Sequence, residues 1–421
     1  MKRVRPKICI LYHFFHPDDV VSARHFSGLA EGLAAAGFEV EVLPSNRACR
    51  NSSARYAPAE DWHGVQIRRV WRPAWRQSST LGRLLNALWM LAAWSSIALR
   101  RSATRPDIVL VGTDPVLSVL VALPLKWLRP GIKVAHWAFD LYPEAAIADG
   151  LISPSSMHLK LLKPLLRRAY HWCDLIADLG VCMRERLHSY GEGLTLETIV
   201  PWALAEEAAP RPPEPELRRR VFGETKLALL YSGNFGRAHS FQEFLALARM
   251  MRPSGVQFRW SVRGNATAEL QSEIRPSDTN VAMLPFVPEA ELAAHLAAAD
   301  VHMVSLQPNW SGIVVPSKFF GSLAAGRPVL YAGPEDSSVA RYIRKYRVGW
   351  VLTQSTLDEV GDRLRQLASS PQLLAELQSH CHAVYRNHFS REKMIGVWVR
   401  ELSSLVRLEQ WPAHAAHLGA L

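Results

Sequence analysis

Apolar residues along the chain fall into short runs separated by longer amphipathic stretches. In the first half the short runs predict buried strands, and a stretch between them, Ala23–Ala36, has helical periodicity and ends at Gly37. The predicted strands are Ile8–Tyr12, Val40–Leu43, Ile108–Val111, Lys133–Trp137 and Leu175–Ala177. This alternation is typical of a parallel sheet that is covered by helices on both faces.

The same alternation restarts in the second half of the chain. Its predicted strands are Lys226–Tyr231, Phe258–Val262, Val281–Leu284, Val301–Ser305 and Val329–Ala332. The segment between the halves, EEAAPRPPEPELRRR, has the proline and charge content of a linker. We therefore predict an α/β protein with two Rossmann-like domains facing a central cleft, residues 1–205 and 206–390. A C-terminal helix at about 391–421 is expected to pack back on the first domain.

Charge is distributed unevenly over the 421 residues. The formal net charge is +11, and residues 1–200 hold 25 Lys and Arg against 17 Asp and Glu. Residues 41–110 alone contain 11 Arg and 4 acidic residues. Such a basic half indicates either a solvated basic face or a negatively charged partner, which could be nucleic acid or an anionic membrane surface. No nucleic-acid recognition motif accompanies the charge, so we expect no nucleic acid and favour the membrane.

One helical stretch, Leu84–Leu99, is apolar on nearly every side. It is shorter than the roughly 20 residues that cross a bilayer, so a membrane-spanning helix is not expected. A helix buried in the first domain and a helix lying in the membrane interface both fit its composition. The flanking residues Arg83, Arg100 and Arg101 favour the interface.

A glycine-containing turn follows the first predicted strand of the second half, in SGNFGRAHSFQEF. Such a turn before a helix presents free backbone N–H groups, which suit a diphosphate. Gly233 and Gly236 permit close approach, and Arg237 can pair with phosphate oxygens. A turn with a purely structural role fits equally well at this point. The spacing is not that of a dinucleotide fingerprint.

A second segment, WSGIVVPSKFFGSLAAGRPVLYAG, carries a sharper signal. Ser317 is expected to cap a helix after Pro316, which places Lys318 in the first helical turn. A cation at this end of a helix is unfavourable unless an anion lies nearby. Lys318 is therefore predicted to bind an anionic group.

Four segments together resemble a known family: VPSKFFGSLAAGRPVL, YSGNFGRAH, LPFVPEAELAAHLAAADV and FDLYPE. The chain resembles the retaining GT-B glycosyltransferases of family 4 over nearly its whole length. Within that family it is most similar to bacterial O-antigen and exopolysaccharide transferases of the L-fucosamine-transferase type. The resemblance implies a nucleotide-sugar co-substrate and no other cofactor, with UDP preferred over GDP.

The resemblance also implies roles for individual residues. Lys318 would bind the donor diphosphate together with Gly233, Asn234 and Arg237. The nucleoside side is assigned as follows: Arg263, Gly264, Phe286, Val287, Gly321 and Ser322. The chain departs from the family at two positions, because the paired glutamates of many members are replaced here by Ile313 and Gly321. Ribose and sugar recognition must therefore use other groups.

The segment AHWAFDLYPEAAIADG follows a strand of the first domain. We assign Asp140 to contact with the transferred sugar or the acceptor hydroxyl, and Glu144 to holding the loop or the acceptor. Helix capping by Asp140 remains an alternative. His13 and His16 follow the first strand and are assigned to an acceptor-side loop.

These assignments predict a retaining glycosyltransferase of cell-surface polysaccharide biosynthesis. No metal-binding motif appears, so a metal-independent hexosyl or N-acetylhexosaminyl transfer is expected. The expected partners are a nucleotide-sugar donor, a lipid-linked saccharide acceptor and an anionic membrane surface. The protein would work in the cytoplasm, on the inner face of the cytoplasmic membrane. A nucleotide-sugar 2-epimerase of the same fold and a catalytically degenerate binding partner remain alternatives.

Overall fold

The computed structural model describes residues 5–77, 79–100 and 104–406. The chain forms two compact units. The described residues up to Val200 and from Glu392 onward form the first unit, and Pro201–Arg391 form the second. The boundary thus falls shortly before the position expected from composition. The part of the expected C-terminal helix at 407–421 lies outside the described residues, as does Arg101.

The first unit is built on an eight-stranded sheet. Its strands are β1 (Lys7–Leu11), β2 (Glu39–Val42), β3 (Ala59–Trp62), β4 (Val65–Arg68), β5 (Ile108–Val111), β6 (Lys133–Trp137), β7 (Leu175–Asp178) and β8 (Leu196–Thr198). Their order in the sheet is β3-β4-β2-β1-β5-β6-β7-β8, and only the β3–β4 pair is antiparallel. β1, β5 and β6 consist almost wholly of buried residues, as their apolar sequences predict.

Helices connect these strands. They are α1 (Val21–Ala35), α2 (Thr80–Ser95), α3 (Ala122–Leu128), α4 (Glu144–Ala148), α5 (Met157–Trp172) and α6 (Val181–His188). Two 3₁₀ turns, Ser96–Leu99 and Ser118–Val121, follow α2 and precede α3. The apolar stretch Leu84–Leu99 is therefore a helix that ends in a 3₁₀ turn. No helix in the described ranges is long and apolar enough to cross a membrane.

The second unit has a six-stranded, fully parallel sheet in the order β11-β10-β9-β12-β13-β14. The strands are β9 (Leu227–Asn234), β10 (Val256–Arg263), β11 (Val281–Leu284), β12 (Val301–Ser305), β13 (Val329–Ala332) and β14 (Gly349–Leu352). The helices are α7 (Pro215–Phe222), α8 (Gln242–Met250), α9 (Thr267–Glu273), α10 (Glu289–Ala297), α11 (Lys318–Ala324), α12 (Ser338–Tyr346), α13 (Leu357–Ser369) and α14 (Pro371–His388). Short 3₁₀ turns lie at Arg252–Ser254 and Pro308–Trp310.

The last helix, α15 (Arg391–Leu405), packs within the first unit over its described residues from Glu392 onward. Trp398 is fully buried and its ring lies 5.4 Å from that of Trp137 on β6. Gly32 of α1 leaves no room for a Cβ, because that atom would lie 2.4 Å from Ile395. Close packing of α1 on α15 therefore requires glycine at this position.

The predicted α/β class with two parallel sheets is confirmed, and two local predictions are wrong. The charged segment taken as a linker ends in α7, because Pro215 suits the first turn of a helix and Phe222 is buried. β9 also continues through Ser232, Gly233 and Asn234, which were predicted to form a turn. These residues pair in register with β10 and so remain in the sheet.

Candidate functional site

The carboxyl ends of the parallel strands in the second unit bring most of the predicted donor-binding residues to one edge. β9 ends at Asn234 and β10 at Arg263, and the two strands are hydrogen-bonded neighbours. On its other side β9 pairs with β12. The strand order therefore reverses between β9 and β12, and ligands of open parallel sheets bind outside the carboxyl ends at such a reversal.

The side chain of Lys318 lies at this reversal, next to the carboxyl end of β9. Lys318 opens α11, and its Nζ donates a hydrogen bond of 2.8 Å to the carbonyl oxygen of Asn234. The ammonium also lies 5.5 Å from the centre of the Tyr231 ring. Burial lowers the pKa of Lys318 to about 8. Within the described ranges Lys318 has no ion-pair partner, and its ammonium keeps two further donors for an anionic ligand.

The backbone of Gly233 makes room for this lysine. Its φ is +118°, and a Cβ added there would lie 3.0 Å from Cε of Lys318. A side chain at this position would therefore strain the backbone and press on the lysine. Glycine is required here by both conformation and space.

A second basic residue, Arg263, lies at the end of β10. Its guanidinium carbon is 4.1 Å from the centre of the Phe286 ring, and its Nε donates a 3.1 Å hydrogen bond to Oδ1 of Asn234. Phe286 follows β11 and is 38% exposed, and the next residue, Val287, is partly buried. An arginine stacked on an exposed ring is suited to planar aromatic ligands.

Gly264 brings the two loops of this edge together. Its φ is +143°, and a Cβ would lie 2.3 Å from the carbonyl oxygen of Phe235. The loop after β10 thus contacts the backbone of the loop after β9 directly. A larger residue would separate Arg263 from Asn234.

Arg237 lies on a different part of this edge. It is exposed and lines a cavity of about 280 Å³ together with His239, Asn265 and Glu269. Lys318 is not among the residues that line this cavity. His239, which lines the cavity with Arg237, also feels the charge of Lys318, so this histidine lies between the surroundings of the two basic residues of the predicted phosphate cluster.

The start of α11 differs from the prediction in the use of its hydroxyl groups. Ser317 is the N-cap residue of α11, as predicted, but it has helical backbone angles and its side chain accepts no capping hydrogen bond. Oγ of Ser322 lies 3.0 Å from Nδ1 of His302 and 2.8 Å from the carbonyl oxygen of Lys318. Ser322 thus stabilises α11 from the buried side. Gly321 has no atom within 4 Å of a Cβ, so its surroundings are open.

One residue near Lys318 was not predicted. His239 packs its ring on Phe235 and donates a hydrogen bond from Nδ1 to the carbonyl oxygen of Ser305 at 2.9 Å. Burial, assisted by the charge of Lys318, lowers the pKa of His239 to about 3. A neutral imidazole is therefore fixed beside the lysine. His239 belongs to the YSGNFGRAH segment, but its distance along the chain does not reveal this proximity.

The first unit has its own cluster at a reversal of strand order, between β1 and β5. His13 follows β1 and Asp114 follows β5, and Nδ1 of the histidine lies 3.2 Å from Oδ1 of the aspartate. The ring of His13 is 1% exposed, and its backbone N–H donates to the carbonyl oxygen of Asp114. The side chain of Asp114 is 40% exposed. Asp114 was not predicted, because the neighbouring position of β5 and β1 is not readable from local sequence.

Asp140 follows β6, the next strand of the same sheet. Burial raises the pKa of its carboxyl to about 6, and the charge of Asp114 acts in the same direction. Asp140 does not cap α4, whose N-cap residue is Pro143. It is therefore a carboxylate held at the sheet edge for some reason other than helix capping.

Glu144 and His16 are held by other parts of the first unit. Glu144 opens α4 and accepts a 2.5 Å hydrogen bond from the hydroxyl of Tyr190. His16 stacks on Trp62 of β3 with ring centres 4.6 Å apart, and its Nε2 lies 4.0 Å from Glu60. Burial lowers the pKa of His16. Glu144 thus ties α4 to the end of α6, and His16 contacts the β3–β4 hairpin.

Over the described ranges, no three His, Cys, Asp or Glu side chains come together in a way that could hold a metal ion. The five cysteines have free thiols.

Comparison with known sequences gives two matches. Residues 22–201 match the glycosyl transferase 4-like domain. A probable glycosyltransferase of Pseudomonas aeruginosa, WbjE, is 27% identical over 268 residues, which are 61% of this chain and 64% of the relative. The match thus spans a little under two thirds of the relative's length.

Comparison with solved structures shows the fold. Sucrose-phosphate synthase of Thermosynechococcus elongatus aligns with a TM-score of 0.69 at 13% identity, over 96% of this chain and 100% of its own. HepE of Anabaena, in complex with UDP and glucose, aligns with a TM-score of 0.64 at 12% identity, over 95% and 100%. The lipopolysaccharide outer core galactosyltransferase WaaB gives 0.61 at 11%, over 96% and 100%. The chain therefore shares the GT-B fold of these solved structures, and its residues 22–201 are similar to the glycosyl transferase 4-like domain.

Proposed function

We propose that the protein transfers a sugar, with retention of anomeric configuration, from a nucleotide sugar to a saccharide acceptor. The observation that carries this proposal is the position of Lys318, a partly buried ammonium without a carboxylate partner in the described ranges, at the strand reversal of the second unit. Gly233 gives it access to the end of β9. A diphosphate bound here would supply the missing negative charge.

Lys318 would act in both binding and catalysis. As the bond between sugar and diphosphate breaks, negative charge grows on the departing nucleoside diphosphate. A preorganised ammonium stabilises this charge more than it stabilises the bound donor. The acceptor hydroxyl would attack the face that the diphosphate leaves and give its proton to a leaving-group oxygen. No protein nucleophile and no metal are needed in this scheme.

The nucleoside would lie beside Arg263 and Phe286. Their stacked pair has a planar edge of the size of a base, and the loops around Gly264 and Val287 offer backbone groups. UDP is proposed over GDP. HepE, which shares the fold, is bound to UDP and glucose, and this supports the choice of nucleotide.

The acceptor side is assigned to the first unit. Asp140, with its raised pKa, would contact the transferred sugar or the acceptor hydroxyl, and the His13–Asp114 pair would border the same edge. A carboxylate that loses hydration on folding regains hydrogen bonds from sugar hydroxyl groups. Glu144 would hold α4 in place through Tyr190.

We further propose a lipid-linked saccharide as the acceptor, in cell-surface polysaccharide synthesis on the inner face of the cytoplasmic membrane. WaaB, a lipopolysaccharide outer core galactosyltransferase that shares the fold, supports a glycan of this class. The exposed side chains of Leu84 and Leu88 on α2 support a protein that touches lipid, because neither is covered by the rest of the first unit.

Transfer of radiolabelled sugar from UDP-sugars to a bacterial membrane extract tests the proposal. Lys318→Ala is expected to reduce transfer by roughly 100- to 1,000-fold, since it removes a charge that stabilises the leaving group. Lys345→Ala, at an exposed lysine of α12, is the matched control and should transfer as the wild type does. Wild-type rates for Lys318→Ala would contradict the site. Epimerised UDP-sugar formed without acceptor would contradict the reaction.

A further inference from the structure

The exposed apolar side chains of the protein are concentrated in the first unit. Of the fifteen large apolar side chains that the described residues expose, thirteen lie there and two in the second unit. Most of the thirteen lie on three connected helices: Leu81, Leu84, Leu88 and Trp89 on α2, Trp127 and Leu128 on α3, and Met157, Leu161 and Leu165 on α5. Scattered apolar residues need no explanation, but a concentration of this kind indicates a partner.

These three helices are neighbours. The turn Ser118–Val121 contacts both α2 and α5, and α3 contacts α5 and the turn Ser96–Leu99. We call this the α2–α3–α5 layer. α3 contacts α5 directly, and α2 is joined to both through the two 3₁₀ turns, so the exposed side chains of the layer belong to neighbouring elements of the first unit.

Within this layer α5 has the composition of a helix that lies on a charged surface. Met157, Leu161 and Leu165 are spaced by four residues and so share one exposed stripe. The opposite, buried stripe is Leu166, Ala169 and Tyr170. α5 is therefore apolar toward the sheet and apolar again toward the outside.

The charge of α5 has one sign. The helix contains no Asp or Glu, and its basic side chains are all exposed: Lys160, Lys163, Arg167 and Arg168. None of the four forms an ion pair with any residue that the structure describes. On the helices of the second unit, by contrast, Arg344 of α12 pairs with Glu335 and Arg365 of α13 pairs with Asp362.

An exposed tryptophan marks the edge of the layer. The ring of Trp127, at the end of α3, is 76% exposed, and Leu128 beside it is exposed as well. Tryptophan with one apolar face and one polar edge is favoured at the boundary between lipid headgroups and acyl chains. An exposed tryptophan, an apolar stripe and basic side chains of a single sign together have the composition of a helix that lies in an anionic membrane interface.

We propose that α5 lies in the plane of an anionic bilayer and that Trp127 inserts beside it at headgroup level. The occupant of the layer is thus a membrane that carries acidic phospholipids, to which Lys160, Lys163, Arg167 and Arg168 are complementary. This deepens the membrane contact in the proposed function: two helices, α2 and α5, fix the orientation of the first unit. A single helix would leave it free to rotate.

Vesicle cosedimentation of the full chain tests the proposal, with vesicles of phosphatidylcholine alone or with an equal part of phosphatidylglycerol. Leu161→Ser with Leu165→Ser is expected to weaken binding to the mixed vesicles about tenfold or more, because two leucines no longer enter lipid. Lys160→Gln with Lys163→Gln should weaken it by roughly ten- to thirtyfold and remove much of its salt dependence. Leu373→Ser, at an exposed leucine of the second unit, is the matched control and should bind as the wild type does.

Brominated phospholipids give a second, site-specific reading. They should quench part of the wild-type tryptophan fluorescence, and Trp127→Phe should reduce that part, the remainder coming from Trp89 on α2. Unchanged vesicle binding of both α5 variants, with loss of binding in Leu84→Ser/Leu88→Ser, would overturn the role of α5 while leaving a membrane contact through α2. A dimer in solution that the α5 variants dissociate would show that a second copy covers the layer and would also overturn it.

The proposed reaction is measured separately. Each variant is assayed for transfer to an acceptor extract dissolved in detergent, where membrane binding is not needed. Full transfer there with weak vesicle binding is the expected result. If the wild-type protein also shows no transfer in this assay, the proposed function is contradicted and the membrane contact is not.

Discussion

The two sheets end in edges of opposite charge. In the second unit the reversal between β9 and β12 carries Lys318, with Arg263 one strand away. In the first unit the reversal between β1 and β5 carries Asp114 and His13, with Asp140 one strand away. The same arrangement of parallel strands thus presents a cation in one unit and carboxylates in the other.

At both edges burial shifts a pKa in the direction that favours the neutral form of the side chain. It lowers the pKa of Lys318 to about 8 and raises that of Asp140 to about 6, and neither side chain has an ion-pair partner in the described ranges. Removing a charge from water without a partner costs free energy. A diphosphate at one edge and sugar hydroxyl groups at the other would each recover part of that cost, so the comparison assigns donor and acceptor to different units.

The largest effect that can break this comparison is the response of donor binding to pH. The side-chain amine of Lys318 must be protonated to pair with a diphosphate. Because its pKa in the free protein is about 8, binding above that pH requires the uptake of one proton. We expect the dissociation constant for UDP to rise about tenfold per pH unit above 8, or roughly 100-fold by pH 10. Isothermal calorimetry across this range measures it.

Lys318→Arg is the control for this measurement. A guanidinium stays charged throughout, so its UDP affinity should remain level over the same range. A wild-type affinity that is also level up to pH 10 would show that Lys318 does not pair with the diphosphate.

A smaller effect is expected from Gly233→Ala. The added Cβ would lie 3.0 Å from Cε of Lys318, at a φ of +118° that alanine rarely adopts. Displacement of the lysine should weaken UDP binding about tenfold, while far-ultraviolet circular dichroism stays as in the wild type. Gly131→Ala is the matched control, because its Cβ has no atom within 4 Å. Equal affinities of the two variants would contradict the close approach of Lys318 to β9.

The acidic edge can be tested through the acid limb of the rate profile. The pKa of Asp140 is raised mainly by burial and secondarily by the charge of Asp114. Asp114→Asn should therefore remove only part of the rise in the pKa of Asp140. We expect kcat/KM to rise through about pH 6 in the wild type, and the midpoint to fall by less than about one pH unit in the variant. His13→Gln removes the hydrogen-bond partner of Asp114 but leaves the charge of Asp114 in place. This variant should therefore not lower the midpoint of the acid limb. If the acid limb of Asp114→Asn has the same midpoint as that of the wild type, Asp140 is not the group whose ionisation controls kcat/KM.

Sequence patterns predict the strands of both sheets well because these strands are buried on both faces. They miss β3 and β4, whose charged and alternating residues form an antiparallel hairpin at the sheet edge. They also miss the edge strands β8 and β14, most of whose residues are only partly buried. A motif places Lys318 correctly at the start of a helix. Asp114 could not be found, because its importance depends on β5 lying beside β1, and strand order is a property of the whole fold. Ser322 was assigned to nucleoside binding from its place in the motif. In the structure its hydroxyl contacts His302, a residue 20 positions away in sequence, and local sequence does not reveal this contact.

The smallest expected effect concerns stability, and it distinguishes a functional carboxylate from a structural one. The pKa of Asp140 is raised from 3.8 to about 6, so its ionised form destabilises the folded protein at neutral pH. Asp140→Asn should therefore raise the free energy of unfolding of the first unit by about 1–2 kcal/mol at pH 7, while transfer falls. The gain is fully present above pH 6 and disappears as the pH falls toward 3.8, where the wild-type carboxyl is protonated in both states. Urea unfolding at several pH values measures it, with Asp149→Asn as a control on a partly exposed aspartate of the next helix end. A loss of stability at pH 7 would mean that Asp140 makes a favourable contact in the folded state, and the acceptor assignment would then lose its physical basis.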